Sequence, residues 1–204
     1  SIEGDAQLSG NALLLDGTRE TTLAVGAALD AEQVSAAASQ VSIGAAPEGT
    51  GGLVFGDGTS GLFASAQDVA LKSYSSLDFY GSVDFAVEGD LTLDAREIRL
   101  LENEGGNAAI SAQRLTLANS SGGEAEAAGG PASLLLTADE IALTGGMKAI
   151  SGADSVTLRA GERVVGRDTG GLAVPGSLTI EAGQLTVDSG DTLAIEAGGA
   201  IVLD

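Results

Sequence analysis

The sequence predicts an all-β fold, a parallel β-solenoid of roughly 10 coils at about 20 residues per coil. Three observations predict it: apolar residues alternate with period two, a ten-residue phrase recurs in six copies, and the composition is aliphatic and rich in glycine. The phrase is clearest in LTLDAREIRL, residues 91 to 100. There Leu91, Leu93 and Ala95 alternate, the pattern slips by one residue, and Ile98 and Leu100 resume it. Period two means a strand with one buried face. In one continuous strand the slip would send Ile98 and Leu100 to the solvent side. A corner at Arg96 and Glu97 instead lets two short strands meet at an angle and send both apolar sets inward, with Thr92 and Asp94 outside.

The other copies run along the chain as VSAAASQVSI (34 to 43), LFASAQDVAL (62 to 71), AAISAQRLTL (108 to 117), LLLTADEIAL (134 to 143) and LTIEAGQLTV (178 to 187). Weaker versions occupy 153 to 158 and 193 to 203. Alanine precedes the corner because a tight bend leaves room on its inner side for little more than a methyl group. Residues 21 to 41 also place Ala27, Val34, Ala38 and Val41 at roughly helical spacing. Strands are expected there, because Gly26 interrupts the helical pattern and the phrase covers 34 to 43. At most one short helix is expected in the chain.

Aromatic residues make up 3% of the chain against 44% hydrophobic residues overall. A globular core of this size would recruit more large rings, whereas aliphatic ladders fill a narrow solenoid interior. With about 4.8 Å between stacked strands, the rod would be roughly 50 Å long. No shift in composition divides it, so residues 1 to 204 are read as a single solenoid segment. Glycine-rich stretches near 44 to 61, 101 to 107 and 119 to 131 fall between copies, where insertions on a solenoid belong.

Cysteine and histidine are both absent. Disulfide frameworks, Cys or His zinc sites and Ser-His or Cys-His nucleophile pairs are therefore excluded. The net charge of -20 repels phosphate backbones and anionic lipid, so neither nucleic acid nor membrane insertion is expected. The opening residues SIEGDAQLSG have neither a basic region nor an apolar run, so an export signal is expected to lie outside this sequence, and nothing later approaches a membrane span. The charge suits calcium, but the Gly-Gly-x-Gly-x-Asp nonapeptide does not repeat and no EF-hand loop occurs. No cofactor is expected.

Gly56 to Gly61 reads GDGTSG and satisfies G-x-G-x-x-G, but a strand-like copy of the phrase follows it rather than a helix. Asp57, Asp68, Asp78 and Asp84 could supply the carboxylates of a carbohydrate-active β-helix enzyme. Against that, acidic residues are common throughout and there is no tryptophan for a sugar platform. Asn119 opens an Asn-Ser-Ser glycosylation sequon by pattern alone.

Tyr74, Phe79 and Tyr80, together with nearby Phe85, gather most of the scarce aromatics. Alternation puts Leu77 and Phe79 on one face of the strand and Asp78 and Tyr80 on the other. Such a segment either fills a wider part of the core or presents Tyr74, Asp78 and Tyr80 as an interaction patch.

The stretch LKSYSSLDFYG (71 to 81), with GDLTLDAREIRL (89 to 100) and SLLLTADEIALTGG (133 to 146), resembles the shaft of the filamentous haemagglutinin-like exoproteins of Gram-negative bacteria. The resemblance covers most of the chain, and its more specific part is Tyr74 to Gly81. It implies a right-handed parallel β-helix, secretion by a dedicated outer-membrane partner, and a place on the cell surface or outside the cell. The Asn-Pro-Asn motifs of that family's secretion domain are missing, so the resemblance implies an internal or C-terminal shaft fragment. The expected function is non-catalytic: a monomeric shaft segment of an adhesin or toxin-delivery filament, reaching a host or neighbouring cell through its parent protein. The alternatives are the carbohydrate-active enzyme and an oligomeric phage or secretion-system spike, since residues 178 to 204 would also suit an intertwined trimer.

Overall fold

The computed structural model describes residues 6–17, 21–23, 28–56, 63, 66–102 and 106–204. They form an all-β parallel solenoid of about eight turns with no helix. The turns are longer than the 20 residues the repeat suggested, which is why there are fewer of them. Ala12 pairs with Gln33, one turn and 21 residues on, but Gln33 pairs with Asp68, 35 residues on, because a loop swells that turn. Eight rungs at about 4.8 Å give a stack roughly 35–40 Å long.

Three stacks of parallel strands wind around the core. The first face holds β1 (Gln7–Ser9), β4 (Ala28–Asp30), β10 (Asp84–Ala86), β13 (Asn107–Ser111) and β19 (Ile201–Leu203). The second holds β2 (Ala12–Gly17), β5 (Gln33–Ala38), β8 (Asp68–Ser73), β11 (Asp90–Asp94) and β14 (Arg114–Ala118). The third holds β3 (Thr21–Leu23), β6 (Val41–Gly44), β7 (Leu53–Phe55), β9 (Ser76–Tyr80), β12 (Glu97–Leu101) and β18 (Thr192–Ala197). Three long strands bend around the corners and serve more than one face: β15 (Ala132–Ser151), β16 (Ala153–Val174) and β17 (Ser177–Val187). Residues 21–23 and 28–44 are strands and bends, as the repeat phrase predicted over the helical spacing; Gly26 and Ala27 lie outside the described residues.

The phrase encodes a corner. Leu91, Leu93, Ala95, Ile98 and Leu100 are all buried, while Thr92 and Asp94 point outward and are half-buried. The bend falls at Arg96, and Glu97 already belongs to β12. Copies 34–43 and 91–100 turn from the second face to the third, but 108–117, 134–143 and 178–187 turn from the first to the second. Identical local chemistry thus serves two different corners of the coil. Some corners are closed by backbone contact alone. A Cβ on Gly89 would lie 2.0 Å from the Gln67 carbonyl oxygen of the turn below, so only glycine fits there.

The core is a column of Leu, Val, Ile and Ala rungs, widened at one level by all four phenylalanines of the chain. Phe55, Phe63, Phe85 and Phe79 meet edge to face in series, with centroids 5.2, 5.4 and 6.4 Å apart. The last turn exposes Leu185, Val187, Ile201, Val202 and Leu203.

The third face departs from the plain stack in two places. β7 is an extra strand, paired on one side with β3 and on the other with β6. Farther along, β14 is followed by no third-face strand. Residues 119–131 instead cross to the first face as a strap, and β12 pairs directly with the end of β15.

Candidate functional site on the third face

Outward side chains of the third face come from strands whose inward residues are locked in the core. In β9, Leu77 and Phe79 point inward and Asp78 and Tyr80 outward, as alternation predicts. Outward is not exposed in this case, because Asp78 has no accessible surface. Arg99, in register on β12, donates from Nε to Asp78 Oδ1 at 2.7 Å and from Nη2 to Oδ2. Gln40 Nε2 donates to Oδ2 at 2.8 Å. Such a bidentate, charge-assisted pair is strong and geometrically specific. The hydrogen bond to Asp78 raises the affinity of the Arg99 guanidinium for its proton.

Tyr80 is partly covered, and its hydroxyl is pushed above the usual phenol range by burial and then by the Asp78 charge. Tyr74 stands apart from both, 61% exposed at the corner between the second and third faces, where Lys72 Nζ lies 5.6 Å from its ring centre. The structure therefore joins Asp78 and Tyr80 on one face and sets Tyr74 beside Lys72.

The carboxylates proposed for an acid-base cluster are spread around the coil. Asp68 opens β8 on the second face, Asp78 is buried under the third, and Asp84 opens β10 on the first. Asp57 and the other residues of the Gly56 to Gly61 motif after Gly56 lie outside the described residues. Among the described residues no group of three His, Cys, Asp or Glu side chains could hold a metal ion, and no helix is long and apolar enough to cross a membrane.

Two buried polar residues lie where the strap begins: Lys148, which the sequence did not single out, and Asn119, which it offered only as a sequon. Lys148 is 1% exposed and points into the core, in register with Leu172 and hence with Ile195. Its Nζ donates to the carbonyl oxygens of Thr144 and Gly146 at 2.7 and 2.8 Å, and burial pushes its pKa down to about 8. Asn119 is also buried. Its Nδ2 donates to the carbonyl oxygens of Gly123 and Met147 at 3.0 and 2.8 Å, which pins the strap to the corner and leaves Oδ1 without a partner. A side chain held this way does not present its amide for glycosylation in the folded protein. The sequence signal for Lys148 was its alternation with Ile150 in MKAI, which puts it on the inward side.

Lys72, Arg114, Arg159, Arg163 and Arg167 form a ladder between turns. Lys72 pairs with Asp94, Arg114 with Asp90, Arg159 with Glu181, and Arg163 with Glu140. Arg167 bridges Glu140 on one neighbouring turn and Asp188 on the other. Burial raises the Glu140 carboxyl pKa, but the hydrogen bonds from Arg163 and Arg167 overcome that and hold it below the usual range. Every ion pair among the described residues joins one turn to an adjacent turn.

Comparison of the chain with family models, with curated proteins and with solved structures finds no match.

Proposed function

We propose that this chain is a non-catalytic segment of an extracellular β-helical shaft of the filamentous haemagglutinin-like kind, right-handed, exported from a Gram-negative cell by an outer-membrane partner. Its work is to hold distance between the cell surface and whatever the parent protein presents. The observation that carries the proposal is the ion-pair ladder: paired charged side chains, which an enzyme would converge on a substrate, instead join neighbouring turns of the coil to one another. The acidic remainder keeps such a rod soluble and its faces apart.

Repeat architecture gives the test, since each turn contacts only its neighbours and can be removed whole. Ser155 and Ser177 are register partners, so deleting residues 155–176 splices one turn onto the next without a mismatch on the first face. In the parent protein this deletion should leave export and the activity of the presented domain intact. Cleavage of a polysaccharide by the purified chain overturns the reading. So does loss of receptor binding by a deleted protein that still folds and reaches the surface.

A further inference from the structure

The described elaborations of the coil fall on one side. The extra strand β7, the loop 45–52 that leads to it and the strap 119–131 all belong to the third face, whereas the first and second faces meet at short corners such as Asp139 and Gly183. In solenoids, the face on which insertions gather is often the one that meets partners. The strap turns this face into a groove of about 510 Å³, walled by Glu124 and Glu126, floored by Met147 and Ala173, and closed on the far side by Glu196.

The strap alternates like a strand. Ala125 and Ala127 are half-buried, and Glu124 and Glu126 between them are exposed. It is pinned at both ends, by Asn119 to the Met147 carbonyl and by Ala128, whose N–H donates to Ser151 Oγ at 3.1 Å and whose carbonyl accepts from Gly152 N–H at 2.7 Å. Between the pins, residues 124–127 make no backbone hydrogen bond within the described protein. Their N–H and C=O groups are free to pair with an added strand. The three glutamates of the groove have no cationic partner among the described residues, although the carboxylates of the ladder do.

We propose that this groove binds an extended peptide segment bearing lysine or arginine at alternate positions, laid beside residues 124–127 so that its cations reach Glu124, Glu126 and Glu196. Charge complementarity chooses the occupant: an acidic or neutral strand would find the same backbone edge but would leave the three carboxylates uncompensated. The small side chain of Ala173 lets the peptide backbone approach the floor, and Met147 adapts to the side chains above it. This reading stands independently of the shaft proposal, because a spacer and a free-standing solenoid could both carry the groove.

The test is fluorescence anisotropy of the intact chain with a labelled alternating lysine-alanine hexapeptide at low salt, beside the glutamate-alanine version as control. Saturable binding of the lysine peptide alone is expected, weakening as salt is added. Glu124→Gln with Glu126→Gln should weaken it about tenfold, close to 1.4 kcal/mol, while Asp154→Asn with Glu162→Gln, away from the groove, should leave it unchanged. Ala173→Phe, which fills the floor, should abolish binding while thermal melting confirms that the protein is folded. Absence of saturable binding overturns the proposal. Equal weakening by the two charge-removing pairs, or full binding by a folded Ala173→Phe protein, also overturns it, because the attraction is then to the overall charge of the molecule.

Discussion

At Ala95 a methyl group is all that the corner admits: the residue is buried, and its N–H donates to the Ala118 carbonyl of the next turn at 2.9 Å. Ala95→Trp must displace the facing rungs, costing about 1–3 kcal/mol or more by overpacking, while Thr92→Trp on the outer side of the same strand should stay within about 0.5 kcal/mol of the parent. Equal melting temperatures for the two variants would remove the steric account of the corner. Lys148 makes a different kind of demand on the core. Its folded pKa of about 8 lies below the ordinary lysine value of 10.5, so the unfolded chain holds the proton more tightly between those values. The charged amine therefore destabilises the fold below pH 8, and the penalty fades as pH rises toward 10. Lys148→Met removes this dependence and also strands the Thr144 and Gly146 carbonyls it served. Whatever the offset between the two proteins at pH 7, the parent should gain stability relative to the variant from pH 8 to 10, as followed by chemical denaturation.

Strand pairs show a second use of charge. The Glu140 carboxyl is held below its ordinary range, so the stability it contributes is present above the unfolded value of about 4.3 and is lost as pH falls through the lower folded value. Melting temperature should thus drop more steeply on acidification from pH 5 for the parent than for Glu140→Gln, and matching slopes would mean that the Arg163 and Arg167 bonds contribute nothing in solution. The corner elements were legible in the sequence because a buried side of period two and a small residue at the bend are local requirements. Asp78 shows where local reading stops: alternation placed it outward correctly, but its burial depends on Arg99 from the next turn and Gln40 from the one before. The strap was visible only as a glycine-rich stretch. Its Glu-Ala alternation, GEAEAAG, carries the signal for an extended segment with one side laid down, yet nothing in the chain says which face it crosses. The number of turns was misjudged for the same reason, since a loop lengthens a turn without adding a rung.

Across the whole molecule stability is a sum of neighbouring interfaces, so removing one register-matched turn should leave a cooperative fold. The isolated chain lacking 155–176 should keep a strand-type circular dichroism spectrum and melt somewhat lower, having lost Arg163 and Arg167; an unfolded product would mean that distant turns depend on one another. The third face adds a constraint on where such edits can be made. Among the described residues the second face and the third each stack eight strands, although the third gains β7 early and skips a strand at the strap. In the language of crystals these are two edge dislocations of opposite sign. Between them the third-face strands run one rung out of step with the second face, and beyond the strap the two columns come back into phase. Either defect alone would make one side of the prism a strand taller than the other and bend its axis, so β7 and the strap have to be inherited, or deleted, together.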